Sequence, residues 1–254
     1  MLTVERQSYI KETAKKSGAV KTDDLMKRFN VSAETIRRDL IELEAQGVLH
    51  RVYGGAVACG GTVANKHLDE RIDDFREQKR ELSEYAASLV NEGDIIAIDE
   101  GTTALEFAEV LAQRFKKLTV VTHSLDVLEK LKHLRGINVI LCGGTYMSDE
   151  NALCGEITAS CYEKIHVMKS FIFPSAISLK DGIMCVSNDL MRIQKVMLEI
   201  ADQIIIMADG SKFEKNGLYK LCPLSQSFVY VSDSSVSQDL IQLYKQNGIN
   251  LLRS

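Results

Sequence analysis

Val31-Ser32-Ala33-Glu34-Thr35-Ile36-Arg37-Arg38-Asp39-Leu40 is the stretch on which the fold turns. Serine at its start is a residue type that caps helices, because its hydroxyl accepts from a backbone N–H two or three positions on. Behind it Ile36, Leu40 and Leu43 recur at helical spacing, which leaves Glu34, Thr35, Arg37 and Arg38 on the opposite face. Such a helix can set its aliphatic face on a small core and offer the other to a DNA groove. Ser32, Glu34, Thr35, Arg37 and Arg38 are then the candidate DNA-contacting residues, arginine being best matched to guanine edges or phosphate oxygens. Adjacent arginines lie about 100° apart on a helix, so one suits phosphate and the other the groove, in an order left open. A basic pair beside Asp39 is also what an ordinary solvated face looks like, so the surroundings decide.

Upstream, Thr3 can cap a first helix running to about Ser17, with Ile10 and Ala14 inward and Gly18 ending it. Thr22 is placed to cap a second helix, Asp23 to Phe29, and Asn30 supplies the turn. Downstream, Gly47 closes the third helix and Val48 to Val57 reads as a pair of strands. In that hairpin His50, Arg51 and Tyr53 are candidates to touch the flanking DNA backbone as a wing. The pattern predicts a winged helix-turn-helix over residues 1–57.

From Cys59 to about Leu68 the apolar periodicity lapses around Gly60, Gly61, Thr62 and Asn65, which reads as a linker over residues 58–69. A polar helix, Glu70 to Asn91, is expected next. Strand-like and helical runs then alternate: Ile95–Asp99, Ala104–Arg114, Leu118–Thr122, Leu125–Leu134, Asn138–Cys142, Lys169–Phe173, Met191–Ile200 and Gln203–Ala208. That alternation predicts an α/β fold for residues 70–254, a mainly parallel sheet covered by helices.

The chain has 254 residues, 45% hydrophobic and 26% charged, with net charge -4. Residues 1–57 carry ten Lys/Arg against eight Asp/Glu, and the remainder 21 against 27, so the basic surplus sits at the N-terminal end. No apolar run is long enough to span a bilayer and no secretory leader is seen, so the expected compartment is the cytoplasm, without a membrane partner. The six cysteines are scattered singly, as reduced core residues are, and neither a metal nor a cofactor is implied.

In an open parallel sheet, ligands settle outside the carboxyl ends of the strands. Asp99-Glu100-Gly101-Thr102-Thr103 follows one strand and opens a helix, offering N–H groups, hydroxyls and a helix dipole to an anion. Thr122-His123-Ser124 and Gly143-Gly144-Thr145 follow two others, and Asp209-Gly210-Ser211-Lys212 adds a cation after a fourth. Any strand-to-helix turn favours small and hydroxyl residues, so the weight lies in four of them at one sheet edge.

Residues 5–57 resemble the winged helix-turn-helix of the DeoR family of bacterial regulators, through Glu5-Arg6, Val31-Ser32-x-x-Thr35-Ile36-Arg37-Arg38-Asp39-Leu40, and Leu43-x-x-x-Gly47 leading to Gly54-Gly55. Residues from about Arg71 to Asp233 resemble that family's sensor domain, similar in fold to ribose-5-phosphate isomerase. The matching pieces are Asp99-x-Gly101-Thr102-Thr103, Thr122-x-Ser124, Gly143-Gly144, Asp181-Gly182, Lys195 and Asp209-x-Ser211-Lys212-Phe213. The resemblance implies binding of double-stranded operator DNA and a homo-oligomer, dimer or tetramer. It also implies a phosphorylated sugar effector near Asp99, Gly101, Thr102, Thr103, Thr122, His123, Ser124, Gly143, Gly144, Asp181, Lys195, Asp209 and Lys212, with repression relieved by ligand. Two departures stand out. Where the family carries Gly-x-Asp-Gly after the strand near Phe171, this chain has Phe173-Pro174-Ser175-Ala176, and the usual Asn between Thr122 and Ser124 is His123. Exchanging a carboxylate for a hydroxyl and glycine for phenylalanine predicts an altered pocket.

Two other readings compete. Asp99, Glu100, Asp181, Asp209 and Lys212 could form an acid–base cluster of a phosphosugar enzyme, although a DNA-binding module explains the chain without catalysis. A DNA-binding architectural protein without a ligand would have a filled crevice instead.

Overall fold

In the computed structural model, residues 3–17, 19–52, 55–58, 61–62 and 67–254 are described. Tyr53, Gly54 and Cys59, and the side chain of His50, lie outside them.

The N-terminal elements are α1 (Thr3–Ser17), β1 (Ala19–Lys21), α2 (Thr22–Phe29), α3 (Ala33–Ala45), β2 (Leu49–Val52) and β3 (Gly55–Ala58). Ile10, Ala14, Leu25, Ile36, Leu40, Leu43, Leu49 and Ala56 meet in one core, so the helical spacing of the aliphatics does set which faces pack. Ser32 caps α3 by accepting from the Thr35 N–H. Asn30 ends α2 with φ 50°, and Gly47 closes α3 with φ 67°, a left-handed conformation that glycine adopts without steric cost. One local expectation fails. Thr22 lies inside α2, whose cap position is Lys21 without a side-chain bond, because residues 19–21 are drawn into β1. That strand pairs antiparallel with β3, giving the sheet order β1-β3-β2.

Asp39, on the recognition helix α3, is buried rather than solvated. It accepts from Arg6 of α1 at 2.5 and 3.0 Å. The pair therefore clamps α1 to α3 and fixes the roll of α3, so that Glu34, Arg37 and Arg38 remain outward.

The two-residue β4 (Gly61–Thr62) leads to a 3-10 turn, Leu68–Arg71, and α4 (Arg76–Ala87). The single helix expected from Glu70 to Asn91 is thus broken, with Phe75 at φ 55° between the pieces. Next come β5 (Ile95–Ile98), α5 (Thr102–Arg114), β6 (Leu118–Thr122), α6 (Leu125–Leu131) and β7 (Ile137–Leu141). A hairpin, β8 (Thr145–Met147) and β9 (Ala152–Cys154), precedes α7 (Glu156–Tyr162) and β10 (Val167–Ile172). The chain continues through β11 (Ala176–Ser178), β12 (Gly182–Cys185), α8 (Asn188–Glu199) and β13 (Ala201–Met207). It ends with β14 (Lys215–Asn216), β15 (Tyr219–Cys222), β16 (Val229–Ser232), α9 (Gln238–Gln246) and β17 (Leu251–Arg253).

Seven strands form one parallel sheet in the order β17-β16-β13-β10-β5-β6-β7. Side chains alternate between its faces: Ile205 and Met207 pack with Ile96, Ile98, Phe107 and Leu82 on one side, whereas Ile204 and Ile206 pack with Ala97, Ile193 and Tyr244 on the other. Burial on both faces explains why these strands read as nearly continuous apolar runs. From β5 the chain builds outward through β6 and β7, then returns to the other side of β5 as β10. Strand order reverses there, which opens a crevice at the carboxyl ends of these two strands.

Among the described residues, Cys142, Cys154, Cys161, Cys185 and Cys222 are free thiols, and no helix is long and apolar enough to cross a membrane. Replacing Arg6 by alanine leaves the buried Asp39 carboxylate without its cation and with only the Gln7 amide, at 3.3 Å, as a side-chain donor. It should cost the N-terminal unit about 3 kcal/mol, read as a lowered midpoint in urea unfolding.

Candidate functional site

The crevice at the β5–β10 junction holds a cleft of about 190 Å³. Gly101, Thr102 and Thr103, the first turn of α5, form one wall, and Lys212 faces it from the turn after β13. Gly101 has φ 106°, a conformation that lets the chain turn sharply from strand to helix with its N–H groups exposed to the cleft. Phe173, Pro174 and Ser175 close another side. Phe173 is buried against Phe107, with ring centroids 6.4 Å apart, so the departure from the family pattern fills space with an aromatic wall.

Asp99 anchors the floor. It is fully buried and accepts from the Phe173 N–H at 3.2 Å and from Gln194 Nε2 at 2.8 Å, joining β5, β10 and α8. Burial raises its carboxyl to a pKa of about 7, against the opposing pull of those hydrogen bonds. His123 Nε2 lies 3.7 Å from Asp99 Oδ1, too far for a hydrogen bond, while Nδ1 is 3.1 Å from the Tyr162 hydroxyl. Complete burial pushes the imidazole down to about 3, so it is neutral and forms no ion pair.

Two cations at the cleft come from the segment before the sheet. Arg71 pairs with Glu150, and Lys79 donates from Nζ to the Arg71 carbonyl at 2.8 Å. Desolvation lowers the Lys79 ammonium to about 8, despite the attraction of Asp209 beneath it. Neither residue was singled out from the sequence. A signal existed: Lys79 leads the stripe Lys79, Leu82, Ser83, Ala86, the buried face of an otherwise polar helix. Glu150 had no comparable signal, since it sits in a 3-10 turn after the β8 strand.

Of the effector candidates, Gly101, Thr102, Thr103 and Lys212 line the cleft, and Asp99 is fully buried beside the lining residue Glu100. Others are placed elsewhere or engaged internally. Thr122 Oγ1 accepts from the Ser124 N–H, and Ser124 caps α6. Gly143 accepts from Thr158, and a Cβ on Gly144 would sit 2.5 Å from the Cys154 carbonyl, so this glycine serves internal packing. Asp209 accepts from Ser211 within its own turn. Asp181 pairs with Lys220 at 2.7 Å, and Lys195 is exposed on α8.

On the DNA side, Ser32 and Thr35 hydroxyls lie 3.0 Å apart and Arg38 is 3.6 Å from Glu34, an exposed pair of little energetic weight. Arg51 is tied by Nε and its backbone N–H to Glu44 at 2.6 and 2.8 Å, which fixes the first hairpin strand against α3. Glu34 and Arg37 face Gln242 and Gln246 of α9 across a separate cleft of about 710 Å³.

A family model of the DeoR-like helix-turn-helix domain matches residues 6–62, and one of the DeoR C terminal sensor domain matches residues 74–234. The chain belongs to the DeoR family. As a DeoR-family protein it is a DNA-binding transcriptional regulator. Transcriptional repressor AccR of Agrobacterium fabrum is 31% identical over 233 residues, 91% of this chain and 90% of that one. The lactose phosphotransferase system repressor of Staphylococcus aureus is 30% identical, over 90% of this chain and 91% of its own. The L-fucose operon activator of Haemophilus influenzae is 29% identical, over 96% and 97%. Among solved structures, ribose 5 phosphate isomerase A from Neisseria gonorrhoeae is similar at a TM-score of 0.40 and 20% identity, covering 53% of this chain and 52% of that chain.

Protonated Lys79 should strengthen anion binding in the DeoR-type cleft below its pKa of about 8 and cease to do so above it. A phosphomonoester is already dianionic by pH 7, its second pKa being about 6, so affinity measured calorimetrically should fall about tenfold from pH 7 to 9. Lys79→Gln should flatten that profile.

Proposed function

We propose that this regulator is a cytoplasmic, homo-oligomeric repressor of an operon for the metabolism of a sugar or carbohydrate derivative, and that a small phosphorylated sugar sets its affinity for operator DNA. The reading divides the chain into a DNA-binding unit over residues 1–57, a linker over 58–69 and an effector-sensing unit over 70–254. Paired recognition helices would read symmetric half-sites, with Ser32, Glu34, Thr35, Arg37, Arg38, Arg51 and Tyr53 at or beside the DNA. The effector's anionic group would lie between the first turn of α5 and the ammonium groups of Lys79 and Lys212.

The observation that carries this reading is the joining of an anion-suited cleft, lined by Lys79, Lys212 and the α5 N-terminus, to a recognition helix in one chain. Two of the relatives carry a sugar in their names, the lactose phosphotransferase system repressor and the L-fucose operon activator, which supports a carbohydrate operon, and two of the three are repressors. Catalysis is the weaker reading. Of the residues weighed as an acid–base cluster, Glu100 and Lys212 line the cleft, but Asp181 is held in a pair with Lys220, Asp99 is committed to the Phe173 N–H and Gln194, and His123 is buried and neutral.

Binding to DNA from the gene's own upstream region, at fixed salt, with a panel of sugar phosphates, tests the proposal. Arg37→Ala should weaken specific binding by about 10- to 100-fold, the worth of one bidentate base contact. Lys212→Ala should keep operator affinity and lose the response to the sugar phosphate. Specific DNA binding that no panel member alters would remove the effector part of the proposal, and absence of specific binding would remove the whole.

A further inference from the structure

The cleft carries groups of both charges. Lys79 and Lys212 line it, and so does Glu100, an acid only 6% exposed. One Glu100 carboxyl oxygen, Oε2, has no hydrogen-bond partner, and neither has Asp99 Oδ1 in the adjoining residue. Glu100 is also within hydrogen-bond reach of the Glu150 carboxyl. Two carboxyl groups that close need a proton or a cation between them. Arg71 is already engaged by Glu150, so a single guanidinium faces two buried acids.

A ligand can satisfy Glu100 in two ways. A hydroxyl offers Glu100 one hydrogen bond and leaves the acid pair to retain its proton. An ammonium group brings three donors and a compensating charge, displacing that proton and partnering Oε2, and charge-assisted bonds of this kind are the stronger. The two lysines still demand an anion. The complement of the whole cleft is a small molecule bearing both charges.

We propose that the effector carries a protonated primary amine that pairs with Glu100, in addition to the anionic group held by Lys79 and Lys212: an amino sugar phosphate in place of a simple sugar phosphate. The inference rests on the sugar-phosphate reading above and narrows it. A cleft of about 190 Å³ suits a single monosaccharide unit.

Calorimetric titration of the full-length protein at pH 7 with matched probes tests it. The pairs are D-glucosamine 6-phosphate against D-glucose 6-phosphate, and D-galactosamine 6-phosphate against D-galactose 6-phosphate, with N-acetyl-D-glucosamine 6-phosphate as a comparator whose nitrogen is uncharged. The amino member of at least one pair should bind about 20-fold more tightly than its hydroxyl partner, as expected for a desolvated charge pair. In Glu100→Gln, shown to be folded by circular dichroism, the two should come within about twofold, through loss of affinity for the amino member. Equal binding within both pairs, or a preference for the hydroxyl member, overturns the amine while leaving the anion reading intact. A preference that survives Glu100→Gln overturns the assignment to Glu100. If no sugar phosphate and no inorganic phosphate binds, both readings fall.

Discussion

The reversal of strand order between β5 and β10 is the constraint from which the sensing unit follows. Two parallel strands whose chains depart in opposite directions leave a gap at their carboxyl ends that no helix covers. Asp99 holds that gap open at a defined width, because its carboxyl oxygen takes both the Phe173 N–H and Gln194 Nε2. β5, β10 and α8 therefore cannot drift apart independently. The first turn of α5 and the Phe173–Ser175 segment inherit their positions from this knot, since each continues directly from a strand that it ties.

Much of the architecture is legible in the residues, and the parts that are not share a cause. Ser32, Asn30 and Gly47 punctuate the recognition helix by local chemistry, and the apolar runs of β5, β6 and β13 declare buried strands. What local chemistry cannot disclose is non-local pairing. The three-residue β1 exists because β3 lies beside it, and the break at Phe75 places a non-glycine residue in a left-handed conformation that no turn motif announces. The site shows the same division. Turns after strands could be recognised as candidates, but strand order alone selects among them. Those after β6 and β7 lie on the outer side of the reversal, where Thr122, Ser124 and Gly144 are consumed by their own turns and packing. Arg71 and Lys79 reach the cleft from a segment that precedes the sheet. Asp39 misleads in the opposite sense: beside two exposed arginines it looks solvated, yet Arg6 draws it into the core.

The cleft concentrates groups that a core selected only for stability would exclude. Lys79 and Glu100 in its lining, and Asp99, Asp209 and His123 in the buried layer behind it, are each almost fully buried, and several of their polar atoms lack partners. Unpaired buried polar groups cost on the order of 1 to 3 kcal/mol each, so this cluster is a net burden on the empty protein. A ligand that supplies the missing partners recovers part of that cost as binding energy, which links occupancy to rigidity of the same strands.

For occupancy to reach the DNA, ligand-bound and ligand-free states must differ in the placement of the recognition helix. A hundredfold change in operator affinity needs about 2.7 kcal/mol of differential binding between the two arrangements. The connections available to carry it are short. Arg71 and Lys79 belong to the first elements after the linker, and β14, three residues beyond Lys212, pairs in parallel with β4 at Gly61 and Thr62 in the linker itself. Both cationic sides of the cleft are thus bonded or covalently continuous with the segment that leads to the recognition helix. Glu34 and Arg37 face α9 across the larger cleft, so a duplex read by those residues, as proposed, would have to share or displace α9 on that side of the helix. Under the proposed reading, a ligand that draws Lys79 and Lys212 together would act on both tethers at once, and the orientation of the helix relative to α9 is the quantity they would change.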